Sequence, residues 1–376
     1  MLNRDSKQTV LLLRAGNTVL GAERVCFELC RHLPDLGIRP ILGVPVGPDD
    51  IGQEIVSAAT AEGFEVWPFE VSGAFDFGVI KRIRHAVQSS GVDVVHSHGY
   101  REDLYALGCS RHAKLLATNH LWKRTTLRLR AYAWLDSIML RKFPRVVAVS
   151  KPIAREMLET GIEPQRIQVI SNGIDTEAFR PGDDAGLRDQ LCISPDSIVL
   201  GTVSSLTSEK AIDNAISAMA LVLPEFPELK LLIVGDGPCR EELERQVDDL
   251  SIAHAVMFLG RRSDMVEVYR ALDVFLLPSL IEGLPMALLE AMACETPVVA
   301  TSVGDVASVV DGSVGRLVEA GSVEQLADGI RRLVESESDR NRMSSIARQR
   351  VEGGFSSRAM ASKYAEIYRS VLAGVS

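Results

Sequence analysis

The stretch Pro278-Ser279-Leu280-Ile281-Glu282-Gly283-Leu284-Pro285-Met286-Ala287-Leu288-Leu289-Glu290-Ala291-Met292 follows an apolar run that ends at Leu277. That run, Val274-Phe275-Leu276-Leu277, reads as a buried strand. Gly283 provides a turn, and Pro285 stands in the first turn of the helix that follows, where a residue without an N–H is tolerated. The backbone N–H groups of Leu284, Met286 and Ala287 then point out of a helix amino terminus, a setting that attracts phosphate. Two carboxylates flank this terminus at different depths, Glu282 in the loop and Glu290 about one and a half turns into the helix. A carboxylate is a poor neighbour for a diphosphate and a good acceptor for vicinal hydroxyls, so both glutamates are assigned to hydroxyls of a ribose or a sugar ring. Taken singly, either one is more simply a helix-start charge or a surface residue. Strand, glycine and proline in register decide for the site.

Outward from this strand–turn–helix unit, short apolar runs alternate with helical patterns along the whole chain, the signature of βαβ units and a parallel sheet buried on both faces. Strands are expected over residues 9–14, 40–44, 65–68, 93–96, 114–117, 146–149 and 168–170 in the first half. In the second half they are expected over 198–203, 230–234, 256–259, 273–277, 297–300 and 315–318. Between the halves lies the breaker cluster Arg180-Pro181-Gly182-Asp183-Asp184, read as the linker. The expected architecture is α/β with two Rossmann-like, doubly wound domains. They are expected over residues 1–178 and 179–355, with a closing helix over 356–376 able to pack back on the first domain. Two such sheets would face a central cleft at the carboxyl ends of their strands, where ligands of open α/β sheets bind.

Bulk properties narrow the function classes. With 376 residues, 46% of them hydrophobic and 24% charged, the chain has ordinary globular composition and length for two domains. A formal charge of −9 argues against a nucleic-acid binder, which needs a basic face. The six cysteines are spaced neither as a disulfide framework nor as metal ligands. His96 and His98 share a strand face by alternation, but no third ligand stands at suitable spacing, so no metal site is expected. A polar start, Met1 to Gln8, and the lack of a bilayer-length apolar stretch lead us to expect a cytoplasmic protein, at most attached to the inner face of a membrane.

The chain resembles the retaining glycosyltransferases of family 4, whose signature is a glutamate, seven residues and a second glutamate in a GT-B fold. The resemblance covers nearly the whole chain. It recurs in Gly21-Ala22-Glu23-Arg24, Asp93-Val94-Val95-His96-Ser97-His98-Gly99, Thr118-Asn119-His120 and Val149-Ser150. Further matches are Ser171-Asn172-Gly173-Ile174-Asp175, Val234-Gly235-Asp236-Gly237-Pro238 and Asp311-Gly312-Ser313-Val314-Gly315. The resemblance implies that Glu290 binds the nucleotide ribose and Glu282 the transferred sugar. It gives the amides after Gly283, those of Leu284, Met286 and Ala287, to the sugar or diphosphate. Lys210 matches the lysine that neutralises the leaving diphosphate, Gly21 would offer a backbone N–H to phosphate, and His120 matches a histidine that contacts the sugar near the reacting carbon. The implied donor is a UDP- or GDP-sugar, with no metal required, and the acceptor a hydroxyl of a sugar or lipid-linked molecule, in polysaccharide or glycolipid biosynthesis.

The pattern breaks at Gly201-Thr202-Val203-Ser204-Ser205-Leu206-Thr207-Ser208-Glu209-Lys210-Ala211. Ser205 occupies the position of the family's second diphosphate-binding cation, an arginine, and Ala211 that of a glycine. A hydroxyl does not reproduce planar guanidinium recognition. Either a cation from elsewhere, Arg261 or Arg262, takes over that contact, or the enzyme is slow or inactive. A catalytically silent nucleotide-sugar-binding subunit is therefore one alternative, and an epimerase or phosphorylase of the same fold another. The latter would need a base or cofactor constellation that the sequence does not display.

One segment inverts the overall charge. Residues 123–145 carry Lys123, Arg124, Arg128, Arg130, Arg141, Lys142 and Arg145 against one acid, Asp136, with Trp122, Tyr132 and Trp134 interleaved. Basic residues with aromatic anchors suit an anionic membrane surface or a lipid-pyrophosphate acceptor, and a solvated helix with core aromatics fits the same residues equally well.

Overall fold

The computed structural model describes residues 8–374 except 20, 49, 74, 75, 121 and 123–126, and of residues 127 and 128 the backbone alone. The chain divides into two compact units, one of residues 1–173 with 357–376 and one of residues 174–356.

The first unit holds a seven-stranded parallel sheet of β1 (Gln8–Leu13), β2 (Ile38–Val46), β3 (Val66–Glu70), β4 (Val94–Ser97), β5 (Lys114–Asn119), β6 (Arg145–Ala148) and β7 (Ile167–Val169), in the order β3-β2-β1-β4-β5-β6-β7. The second holds six parallel strands, β8 (Val199–Val203), β9 (Lys230–Val234), β10 (Val256–Gly260), β11 (Val274–Leu277), β12 (Val298–Thr301) and β13 (Gly315–Val318), in the order β10-β9-β8-β11-β12-β13. Strands such as β11 and β12 are buried at every position, as sheets covered by helices on both faces require. In the second unit one core cluster joins Phe275, Leu277 and Val298 to Leu288 and Met292, and another joins Leu276 and Val299 to Ile216, Leu326 and Ile330. Alternating residues of one strand thus serve opposite helical layers.

Both strand orders reverse direction once, between β1 and β4 in the first unit and between β8 and β11 in the second. Crevices at the carboxyl ends of such strand pairs are where doubly wound sheets bind ligands.

The passage between units falls at Gly173/Ile174, upstream of the breaker cluster at residues 180–184. Ile174 is buried in the second core, its N–H donates to the Phe355 carbonyl, and it bridges to Ser356. The cluster belongs to the second unit, where the Arg180 and Asp183 carbonyls accept from Arg270. Breaker residues mark a loop; whether that loop is a linker depends on what its backbone bonds to.

The closing helix Ser357–Ala373 packs in the first unit against the helix Gly21–His32 and β5. Its buried Tyr368 hydroxyl lies 2.8 Å from His96 Nδ1, and its Tyr364 hydroxyl 3.1 Å from Thr118 Oγ1, itself 2.8 Å from His96 Nε2. His96 is thereby a bonded core residue, its pKa pushed well down by burial and by His120.

Candidate active site

In the second unit the residues after β8 and those after β11 meet at the strand-order reversal. The Lys210 ammonium lies 2.6 Å from Glu282 Oε1, and Ser279 Oγ donates to the same oxygen at 2.8 Å. Two backbone anchors hold the loops. Leu280 N–H donates to the Glu209 carbonyl at 2.8 Å, and Leu206 N–H to the Asp236 carbonyl at 3.0 Å. Gly235, at φ +130°, is packed so tightly on this loop that a Cβ would lie 1.8 Å from the Ser204 carbonyl oxygen. Lys210 closes a short 3-10 turn, Ser208–Lys210, ended by Ala211 at φ +47°. An alanine there tolerates the left-handed geometry at a cost that the family's glycine avoids.

The other loop is equally fixed. Gly283 O accepts from Asp305 N–H at 2.9 Å, and Gly304, at φ +54°, leaves no room for a Cβ, which would lie 2.2 Å from the Glu282 carbonyl oxygen. Thr301 Oγ1 donates to the Ser279 carbonyl at 2.6 Å. The helix Met286–Ala293 follows with Pro285 as its N-cap, one position earlier than the first-turn role read from the sequence. The amides of Met286 and Ala287 open that helix, while Leu284 is buried in the core beside it.

Glu290 is 3% exposed, and the fully buried Tyr269 donates its hydroxyl to Oε2 at 2.7 Å. The plain surface reading of Glu290 is thereby excluded. A buried carboxylate persists only where donors compensate for its lost hydration, and a hydrogen bond to a charged group contributes about 1.5–3 kcal/mol.

Ser205 lies half-buried in the loop after β8, and its neighbours Ser204 Oγ and Thr207 Oγ1 are buried without a hydrogen-bond partner. Arg262 is held by Asp264, with Nε at 2.9 Å from one carboxylate oxygen and the other oxygen bonded to Nη2. That pair draws the Arg262 pKa up and the Asp264 pKa down, each chiefly through the mutual hydrogen bonds. A diphosphate would have to compete with Asp264 for this cation. Arg261 is exposed.

In the first unit, Gly21 is the first residue of the helix Gly21–His32. At the reversal between β1 and β4, Arg14 pairs with buried Glu23 at 2.6 Å and donates to the His98 carbonyl. His98 Nδ1 lies 3.0 Å from His120 Nε2. Burial, with Arg14 nearby, lowers the His120 pKa to about 3, so the ring is neutral at any physiological pH and can only donate or accept a hydrogen bond.

Sequence reasoning did not single out Ser279 or Tyr269. Ser279 stands three residues before Glu282 and was legible in principle as a side-chain donor. Tyr269 gave no signal, since it lies in another helix, Met265–Arg270, and reaches Glu290 only through the fold. The basic segment is only partly described, because Lys123, Arg124 and the Arg128 side chain lie outside the described residues. Trp122 is not a surface anchor, as it is buried and donates to Asp136 at 2.7 Å.

Comparison with known proteins bears on the family and the fold. The model "Glycosyltransferase Family 4" matches residues 19–178 and "Glycosyl transferases group 1" residues 184–350. The chain is 29% identical to N-acetyl-alpha-D-glucosaminyl L-malate synthase of Bacillus anthracis over 79% of its length and 80% of that protein's. It is 33% identical to D-inositol 3-phosphate glycosyltransferase of Kribbella flavida over 56% of its length, but spans only about half (52%) of that relative. The Anabaena protein HepE, solved with UDP and glucose, superposes with a TM-score of 0.85 at 21% identity, covering 96% of this chain and 100% of that one. Two parallel doubly wound sheets of GT-B type, matched by both family models in succession, make this chain a member of the family 4 type glycosyltransferases.

Proposed function

We propose that this protein moves a hexose-like unit from a nucleoside-diphosphate sugar to an acceptor hydroxyl with retention of anomeric configuration and without a metal, in polysaccharide or glycolipid synthesis. The observation that supports this best is the meeting of Lys210 and Glu282, 2.6 Å apart, at the strand-order reversal of the second sheet, next to a helix amino terminus. Lys210 and the amides of Met286 and Ala287 stabilise charge on the leaving diphosphate. Glu282 receives a hydroxyl of the transferred sugar and Glu290 the ribose. In the first unit the resemblance gives Gly21 a phosphate contact and His120 a sugar contact. In the reaction the acceptor oxygen bonds to the anomeric carbon on the face from which the diphosphate departs. The carbon–oxygen bond to phosphate breaks with its electron pair on the diphosphate, whose oxygen takes the acceptor's proton. UDP is the first nucleotide to test, since HepE was solved with it, and GDP the second.

Incubation with UDP- and GDP-sugars, alone and with sugar or lipid-linked acceptors, tests the reading. Slow donor hydrolysis and a product whose anomeric proton coupling matches the donor's are expected. An inverted product sinks the retaining mechanism, and binding without any turnover favours the silent subunit that Ser205 suggests.

A second reading concerns location. On the helix Leu127–Leu140, Trp134 is 63% and Leu135 48% exposed, with Arg130, Arg141 and Lys142 also exposed nearby in sequence, while the single acid Asp136 is buried. Such exposed basic and apolar side chains suit the anionic surface of a membrane, reached peripherally, since no helix among the described residues is long and apolar enough to cross one. Co-sedimentation with phosphatidylglycerol vesicles is expected to fall severalfold on Trp134→Ala with Arg130→Glu. Equal sedimentation of variant and parent would sink this reading.

A further inference from the structure

We infer that Lys210 and Glu282 hold each other's place in the donor site, and that a nucleotide sugar is selected over a bare nucleoside diphosphate because only the sugar nucleotide replaces both halves of the pair. This rests on the donor-site reading above.

The pair is built to be exchanged. Lys210 Nζ and Ser279 Oγ converge on one oxygen of Glu282, at 2.6 and 2.8 Å. The Glu282 side chain is 8% exposed and that of Lys210 21%. Both loops are anchored, since Leu280 is bonded to Glu209, Gly283 to Asp305, and the Ser279 carbonyl to Thr301. A diphosphate can recruit the ammonium only by drawing it off Glu282. That leaves a largely buried carboxylate with Ser279 as its remaining donor of the two, a costly state unless another donor arrives.

A nucleotide sugar brings that donor, a ring hydroxyl, along with the phosphates for Lys210. A nucleoside diphosphate brings phosphates only, and their charge then faces the abandoned carboxylate. One charge-assisted hydrogen bond made or missed corresponds to about tenfold in affinity. The exchange therefore disfavours the spent nucleotide, which must leave after transfer.

Calorimetry with UDP, GDP and ADP, and with the corresponding nucleotide glucose, on the full chain and on Glu282→Gln, Lys210→Ala and the double variant tests this. Glu282→Gln is expected to bind the nucleoside diphosphate about tenfold more tightly and its glucose derivative no more tightly than the parent. In the Lys210→Ala background that gain should vanish, whereas plain repulsion between Glu282 and phosphate would leave it intact. No gain, or a gain of equal size in both backgrounds, overturns the inference while leaving the donor site standing. A parent protein that binds none of the nucleotides overturns the donor-site reading and the inference with it. Should Glu282→Gln not fold, Ser279→Ala serves. By removing the donor that Glu282 keeps, it should weaken the nucleoside diphosphate about tenfold and the nucleotide sugar less; equal losses count against the exchange.

Discussion

Replacing Lys210 by alanine is expected to lower kcat for glycosyl transfer by about two to three orders of magnitude, the usual consequence of removing one preorganised donor from a developing anion. The expectation is stronger here than for a chain with the family's arginine, because Ser205 stands in its place and Arg262 is engaged by Asp264. Lys210 is the cation that the loop after β8 itself supplies next to Glu282. The same substitution removes a partner from a largely buried carboxylate, so some loss of stability accompanies it, and the two effects must be separated. Lys210→Arg does so. It keeps a charge for Glu282 and should restore melting temperature, but its longer planar head cannot occupy the ammonium's position, so kcat should recover only in part. Initial-rate kinetics on both variants, with thermal melts alongside, decide the point. A kcat for Lys210→Ala within threefold of the parent would remove Lys210 from the mechanism.

What could be read in advance follows from how far apart in sequence the cooperating groups lie. All thirteen strands were expected within a few residues of their observed limits, because each is a local apolar run bounded by breakers and a parallel sheet needs little else. The turn at Gly283 and the helix after Pro285 were legible for the same reason, and so were the two glutamates, being spaced along one local element. The pairing of Lys210 with Glu282 was not, since 72 residues separate them and the contact exists only because β8 neighbours β11. The passage between units lies at Gly173/Ile174 where residues 178/179 were expected, since the visible breakers at residues 180–184 were outweighed by the buried Ile174 and its bond to Phe355. For Trp122 the sequence leaves anchor and core aromatic both open, and only the fold decides. Its indole N–H donates to a buried carboxylate, Asp136, fourteen residues further along, a contact that the basic surroundings do not announce.

The second large effect concerns Glu290, where burial makes the obvious experiment ambiguous. Glu290→Ala should abolish measurable nucleoside-diphosphate binding, but it would also take the carboxylate away from the buried Tyr269 hydroxyl and open a cavity beside it, at a cost of about 2–4 kcal/mol. Lost binding in that variant would report a damaged core as readily as a lost ribose contact. Glu290→Gln separates the two. Its carbonyl oxygen can still accept from Tyr269 and its volume is unchanged, so the melting temperature should fall by only a few degrees. An amide nevertheless offers one acceptor oxygen where the carboxylate offers two, and its NH2 opposes a ribose hydroxyl donor. Affinity for the nucleoside diphosphate is therefore expected to drop by about tenfold or more, the worth of one charge-assisted hydrogen bond. The ribose assignment makes a sharper demand on the deoxy ligand. If Glu290 accepts from the ribose hydroxyls, removing them from the nucleotide should cost the parent protein a similar factor and cost Glu290→Gln almost nothing more, since both changes delete the same contact. Additive losses in calorimetry would mean that Glu290 acts only through Tyr269 and the packing of the helix Met286–Ala293, and that the ribose is held elsewhere.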